Sequence, residues 1–468
     1  MAIGQPVPGV QTAPRAALSL PPLPPLAVAA AAIGLALVAG ALIAADPPKG
    51  VAFVIALCYA PIVLTNLPVG IALWLPTTFF TAIDGVDTVS QAGALLIAVA
   101  WLGTLWRGRE ATLPRGVVVQ QWTLALFVVW LAFSIGWAES PDDALTVLTP
   151  WVASAILFVV LVTSEVDERQ LQLIVGAYVG GVALSALAGL LGGLEGASDV
   201  SAVTEQQGRL QGGSGDPNYL AAAIVPAIAL ACGLLASVRG ELTRIWLIGS
   251  IPVLVLGLAA TESRGGLLAA FVAIVVSVVV TRRGRIWVVA LIALTVGMAA
   301  VWFAATPTAW ERVSTLEGGN GRGSLWKVAW EMSNDHPLLG VGIGNFPLNS
   351  PDYARGYGEL ELVTFIAERD HVVHNVYLQL LAETGLVGIA LLLALACMSF
   401  IACARAIRSF ERAQSWALAS LTRAVAVALA GGLAASFFIS NGSDFQIWVL
   451  LALGPALLAL AGRTAPDR

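Results

Sequence analysis

Continuous apolar runs of about 17 to 25 residues recur along this chain, and a helix of that length crosses the roughly 30 Å hydrocarbon core of a bilayer. Leu26 to Ala45 and Ile286 to Ala305 are two of them. In lipid, every backbone N–H and C=O must be satisfied within the protein, which leaves only helices and closed barrels as spanning structures. A barrel would show alternating residues in stretches of about ten, and these runs do not alternate. The chain is therefore expected to be an all-α polytopic membrane protein. Its bulk properties agree, since 58% of the 468 residues are hydrophobic and only 11% are charged. A net charge of -5 offers no basis for nucleic-acid binding.

Candidate spans fall near 26–45, 51–67, 69–83, 92–106, 120–137, 147–163, 171–193, 218–237, 244–261, 265–281, 286–305, 376–402, 416–439 and 444–461. The second and third are short and interrupted by proline, so about 12–14 transmembrane helices are expected. The first run is longer than a signal-peptide core and is read as a retained helix, although Ala41 to Ala45 resembles a cleavage site. Residues 1–25 read as a disordered cytoplasmic tail rich in Pro and Ala. Transmembrane helices are expected over 26–306, a large periplasmic loop over 307–373, further transmembrane helices over 374–462 and a second cytoplasmic tail over 463–468.

Orientation follows from the basic residues of short loops. Arg107, Arg109 and Arg115 mark one side, which recurs at Arg239 with Arg244, at Arg282, Arg283 and Arg285, at Arg405, Arg408 and Arg412, and at Arg463 and Arg468. That side is expected to be cytoplasmic. The opposite loops are acidic or neutral, and the long 307–373 segment is one of them. Arg423 is a charge inside an expected span, close enough to its end to snorkel toward the cytoplasm.

All three histidines, His336, His371 and His374, lie in the long polar segment or at its end. His374 stands where it meets the next apolar run, and histidine exchanges a proton near neutral pH without help. The competing reading is a structural histidine. Arg264, in Thr261-Glu262-Ser263-Arg264-Gly265-Gly266, is expected at the outer membrane boundary. It is either a snorkelling or Glu262-paired helix end or part of an anion site, where a guanidinium fork grips phosphate oxygens. Arg322 opens Arg322-Gly323-Ser324-Leu325-Trp326-Lys327-Val328-Ala329-Trp330, a candidate interfacial helix with two tryptophans on one face. Its position at a helix start also favours anions.

Asp216 and Asn218 begin a span on the same side, as helix caps or as partners for sugar hydroxyls. Gly340-Val341-Gly342-Ile343-Gly344 lacks the spacing of a nucleotide loop and reads as turns. The four cysteines, Cys58, Cys232, Cys397 and Cys403, form no metal-binding pattern and are expected to be small core residues. His371 and His374 find no third ligand at a recognisable spacing, so no metal site is expected. Asn441-Gly442-Ser443 has the form of a glycosylation sequon, a match common by chance, and nothing is assigned to it.

Four motifs in sequence carry a resemblance: Gly215-Asp216-Pro217-Asn218-Tyr219-Leu220-Ala221, Ser263-Arg264-Gly265-Gly266, Arg322 with Leu325-Trp326, and His374-Asn375-Val376-Tyr377-Leu378-Gln379 through Glu383-Thr384-Gly385-Leu386-Val387-Gly388. Together they resemble the O-antigen ligase family, which takes in related O-antigen polymerases. The likeness covers roughly residues 200 to 400. It implies a GT-C-like membrane glycosyltransferase in the bacterial inner membrane, moving a glycan from an undecaprenyl diphosphate carrier to an acceptor hydroxyl at the periplasmic face.

The matching positions imply diphosphate recognition by Arg264 and Arg322 and catalysis by His374, with Asp216, Asn218 and Asn375 as further substrate-binding positions. No cofactor is expected, because two arginines can stabilise the charge of the leaving lipid diphosphate. Direct displacement would invert the sugar's anomeric carbon, with His374 taking the acceptor's proton. A ligase would use lipid A-core as acceptor and a polymerase a second lipid-linked repeat unit. The spacing from His374-Asn375 to Gly385 and Gly388, and Arg264 with Leu268, lean toward ligase. A secondary transporter is the reading from another class, but it would place its ionisable groups near the bilayer midplane rather than at one face.

Overall fold

The computed structural model describes residues 46–106, 113–192, 208–281, 322–356 and 372–464, with isolated positions between 35 and 44 and between 289 and 306. The expected N-terminal tail and most of the spans at 26–45 and 286–305 lie outside the described residues. So do Arg107, Arg109, Arg282, Arg283, Arg285, His371 and Arg468.

The chain divides into two units, Met1–Cys58 and Tyr59–Arg468. In the first, the described residues are isolated helical positions, Asp46 and the opening of α1 (Pro47–Thr65). The second unit holds the remaining helices. It contains α2 (Leu67–Trp74), α3 (Val86–Trp106), α4 (Arg115–Phe133), α5 (Pro141–Thr163), α6 (Glu168–Leu190), α7 (Pro217–Ser237) and α8 (Glu241–Ala260). It continues with α9 (Arg264–Val280), α10 (Arg322–Asp335), α11 (Phe346–Gly356), α12 (Val376–Arg412), α13 (Trp416–Ala435) and α14 (Phe445–Thr464). Every regular element among the described residues is helical. The protein is an all-α polytopic membrane protein.

Nine of the described helices are long and apolar enough to span a bilayer, and three shorter apolar helices, Phe53–Thr65, Leu67–Phe79 and Arg264–Val280, coincide with expected spans. Burial separates the centre from the rim. In the apolar stretches of α7, α13 and α14, 72%, 72% and 78% of residues are buried, against 22% in α3. Leu95, Val99 and Leu102 of α3 and Phe271 and Val279 of α9 are exposed. Apolar surface on that scale requires an apolar solvent, and here the solvent is lipid.

Small residues let the central helices approach. A Cβ on Gly233 of α7 would lie 2.2 Å from the Ala424 Cβ of α13, and one on Gly431 of α13 would lie 2.8 Å from Val225. Close backbone approach of this kind replaces the hydrophobic force that lipid cannot supply. The cysteines only partly follow expectation. Cys403 is buried, and a Cβ on Gly454 would lie 2.7 Å from its Sγ, but Cys58 and Cys397 are exposed. Apolar faces turned to lipid accept a thiol as readily as a core does.

At one end of the bundle the basic groups find partners. Arg423 of α13 pairs with Glu411 near the end of α12, and Arg463 donates to the Val166 carbonyl at 2.6 Å. The Arg423 side chain is 17% exposed. An ion pair with Glu411 therefore accounts for this charge as well as its closeness to a helix end.

α12 is two helices joined at a kink, where Gly385 adopts φ 68° and ψ -169°. The break frees carbonyls that neighbours then satisfy, as buried backbone groups require. Val341 donates to the Ala382 carbonyl at 3.0 Å, Gly342 to Glu383 at 2.8 Å and the Trp130 indole to Thr384 at 2.9 Å. The Gly340–Gly344 segment thus runs as turns along the kink. A Cβ on Gly340 would meet the Glu383 carbonyl carbon at 2.3 Å, and one on Gly385 the Leu338 carbonyl carbon at 2.2 Å. Glu383, 2% exposed, accepts backbone N–H groups of Gly344 and Phe346 and ties α11 to the same point.

Candidate active site

The start of α7 is fixed by its own side chains. Asp216 is the N-cap, accepting from the Asn218 and Tyr219 amides at 2.6 and 3.2 Å. The Asn218 Oδ1 accepts from the Ser263 hydroxyl at 2.8 Å and from Arg209 Nη2 at 3.2 Å. Arg209 also donates through Nε to the Thr261 carbonyl at 2.9 Å. Asp216 thus acts as a cap, and Asn218 binds the neighbouring turn.

That turn carries Arg264. Glu262 takes a positive φ of 50°, and Ser263 caps α9 by accepting from the Gly266 amide at 3.2 Å. Arg264 is then the first helical residue, half-buried. Gly265 follows because nothing larger fits, a Cβ there lying 2.6 Å from Phe438. Phe438 belongs to the loop between α13 and α14, and its ring centroid lies 6.4 Å from that of Trp326 on α10.

α10 begins with Arg322, which is half-buried. One face of this helix, Leu325, Val328, Ala329 and Met332, packs with Phe346, Val373 and Ala382 in a small core of its own. The Trp326 indole donates to the Val373 carbonyl at 3.1 Å, while Trp330 is 53% exposed. The expected pair of interfacial tryptophans therefore divides its work. Trp326 fastens the helix to the residue before His374, and Trp330 faces outward.

His374 has a φ of 52°, in the left-handed region that only Gly enters freely. Its amide donates to the Ser440 hydroxyl at 3.1 Å. Asn375 caps α12, accepting from the Tyr377 and Leu378 amides at 3.0 and 3.2 Å. The Val376 amide reaches the Ser436 carbonyl at 3.0 Å. Because the histidine turns the chain before the cap, its half-buried side chain and the capping amide are oriented by the same turn.

The hub of these contacts is the loop from Ser436 to Asp444. Phe438 touches the starts of α9 and α10, Ser440 holds the His374 amide, and the Ser440 backbone hydrogen-bonds the Tyr219 hydroxyl on α7. Tyr219 in turn feels the charges of Arg322, Asp216 and Asp444. The starts of α7, α9, α10 and α12 are thereby gathered at one end of the bundle, opposite the Arg423–Glu411 pair. Three of these starts are capped by their own side chains, so it is the positive ends of the helix dipoles, with Arg264, Arg322 and Arg209 beside them, that suit an anion.

Asp444 closes the loop. Burial pushes its carboxyl up to about 7. Among the described residues no hydrogen-bond donor reaches that carboxylate. It lines a cavity of about 330 Å³ together with Asp87, Gln91, Asp216, Tyr219 and Gln446.

Sequence reasoning singled out Arg264, Arg322, His374, Asp216, Asn218 and Asn375. It missed Arg209, Tyr219, Phe438, Ser440 and Asp444. Asp444 had a signal, being an acidic residue at the mouth of an apolar run on the expected outer side. Arg209 was one arginine in a long polar loop, and nothing local distinguished it.

Residues 249–393 match the family described as O-antigen ligase. The match runs from α8 into α12 and includes Arg264, Arg322, His374 and Asn375. No curated protein matches the chain.

Proposed function

We propose that this chain, a member of the O-antigen ligase family through residues 249–393, transfers a glycan from undecaprenyl diphosphate to a hydroxyl of lipid A-core at the periplasmic face of the bacterial inner membrane. One observation carries the reading. Arg264, Arg322 and His374 each stand at a helix start, and those starts are tied together through Phe438 and Ser440.

Arg264 and Arg322 grip the diphosphate. As the bond between the sugar's anomeric carbon and phosphate oxygen breaks, charge builds on the leaving lipid diphosphate, and two fixed guanidiniums stabilise it as it forms. His374 accepts the proton of the attacking acceptor hydroxyl. The new glycosidic bond forms on the opposite face of the sugar, so the configuration inverts. No nucleotide is consumed, and the lipid diphosphate leaves already ionised. Asn375 contributes by holding the turn that aims His374.

The test is transfer by purified, reconstituted protein supplied with a lipid-linked glycan, lipid A-core and a second lipid-linked glycan as competing acceptor. A glycan-capped core is the expected product, and a longer lipid-linked glycan would instead make the enzyme a polymerase. His374→Ala should lower transfer by about 10²- to 10⁴-fold, the usual contribution of a positioned general base. Full transfer by that variant would overturn the assignment.

A further inference from the structure

We propose that the cavity framed by Asp87, Gln91, Asp216, Tyr219, Asp444 and Gln446 is a saccharide subsite that seats one hydroxyl-rich sugar of the transferred or receiving glycan. The inference rests on the transfer reading above and adds to it the part of the substrate that the arginines do not touch.

Four observations carry it. The cavity measures about 330 Å³, inside the roughly 300–1,000 Å³ range of small-ligand pockets. Its wall is rich in acceptors: carboxylates at Asp87, Asp216 and Asp444, and an amide at Gln446 whose nitrogen is already spent on the Thr78 carbonyl at 2.7 Å. Such a wall disfavours a phosphate and favours a ligand that brings its own O–H or N–H donors. The Asp444 side chain is half-buried and meets no donor among the described residues, so a ligand hydroxyl would find its carboxylate unspent.

Next to the cavity lies a second, small space of about 10 Å³ sharing Tyr219, Ala223, Asp444 and Gln446 as walls. Asn441 lines it, 8% exposed, and its Oδ1 has no hydrogen-bond partner. That space suits a single water relaying between Asn441 and a ligand in the cavity.

Location adds the last step. Tyr219 borders the cavity, hydrogen-bonds Ser440, which holds the His374 amide, and feels the charge of Arg322. Tyr219 and Ser440 thus connect the cavity wall to the turn that carries His374. All six framing residues also lie outside the family match at 249–393. The matched segment supplies the shared chemistry, and the cavity supplies a surface on which this chain can select its own glycan.

The experiment measures binding to the detergent-purified full chain of two probes, bare undecaprenyl diphosphate and the same lipid carrying an O-antigen oligosaccharide, and then the KM for lipid A-core. Assayed above neutral pH, where the carboxyl is ionised, Asp444→Asn should weaken the glycan-charged lipid at least about tenfold, as expected for losing a charged hydrogen-bond acceptor, and leave the bare lipid unchanged. Gln91→Ala, at the exposed mouth where folding is not at stake, should produce a smaller loss of the same selectivity. If donor binding holds while the KM for lipid A-core rises by that factor, the subsite stands and its sugar is the acceptor's. Equal loss for both lipids, or no change in donor binding and in acceptor KM, overturns it. Failure of the diphosphate reading looks different. Arg264→Ala with Arg322→Ala would then bind bare lipid normally, while the Asp444→Asn selectivity persisted.

Discussion

His374 combines two demands that rarely coincide in one residue. Its φ of 52° would suit glycine, yet its side chain is the only described histidine near the helix starts. Left-handed backbone costs a non-glycine residue about 1–2 kcal/mol, and such strain persists where function needs the side chain. His374→Gly should therefore unfold at a temperature no lower than His374→Ala, while both lose transfer to a similar extent. A glycine variant that is less stable would show that the imidazole, not the turn, holds this segment. Asp444 allows a second test. Its folded carboxyl titrates near 7 rather than in the usual range near 4, so between those values the folded state keeps a proton that the unfolded state has released. Stability should fall as pH rises from about 4 to about 7, and Asp444→Asn should remove part of that slope. Melting curves at stepped pH read it directly; the carboxylates of Asp87 and Asp216, the Tyr219 hydroxyl and the nearby Arg322 remain in both proteins, so the difference belongs to residue 444. An unchanged slope would place Asp444 in contact with bulk water.

At the scale of elements, the informative device is the break in α12. The motif from His374 through Gly388 was legible in the sequence as a recurrent pattern, but its reason was not. Gly385 supplies a positive φ in mid-helix, and the carbonyls released there are taken up by Val341, Gly342 and Trp130, which are distant in sequence. No local periodicity reveals a partner more than 250 residues away. The same limit explains the hub loop: Ser436 to Asp444 holds only a chance match to a glycosylation sequon and a terminal acid, and its importance comes mainly from what it touches. By contrast the spans, the helix opened by Arg322 and the cap at Asp216 could be read directly, because apolar length and capping chemistry are local. Gly385→Ala should destabilise the fold by about 2 kcal/mol or more, combining left-handed strain with a Cβ driven into the Leu338 carbonyl. Gly323→Ala, in open space on α10, is the control and should be nearly neutral. Equal stability of the two variants would mean that the kink is not clamped as described.

For the whole molecule, the distribution of charge carries an orientation. The helix starts with Arg264, Arg322 and His374 share one end, and Arg412, Arg423 and Arg463 belong to the other, whose short basic loops are the kind expected on the cytoplasmic side. The substrate end needs no basic loops to be placed. On the proposed orientation it follows from the opposite end, because each span reverses the chain. The arrangement also separates this protein from a transporter with a midplane site, since the ionisable cluster lies beside helix starts rather than at mid-span. With its exposed cysteines replaced, the chain offers two clean reporters: His336 at the end of α10 and Arg412 at the end of α12, both exposed. A membrane-impermeant thiol reagent applied to intact spheroplasts should label His336→Cys at once and Arg412→Cys only after the membrane is opened. The reverse pattern would put the arginines and the histidine on the cytoplasmic face, beyond reach of a periplasmic acceptor, and the transfer mechanism would fail with it.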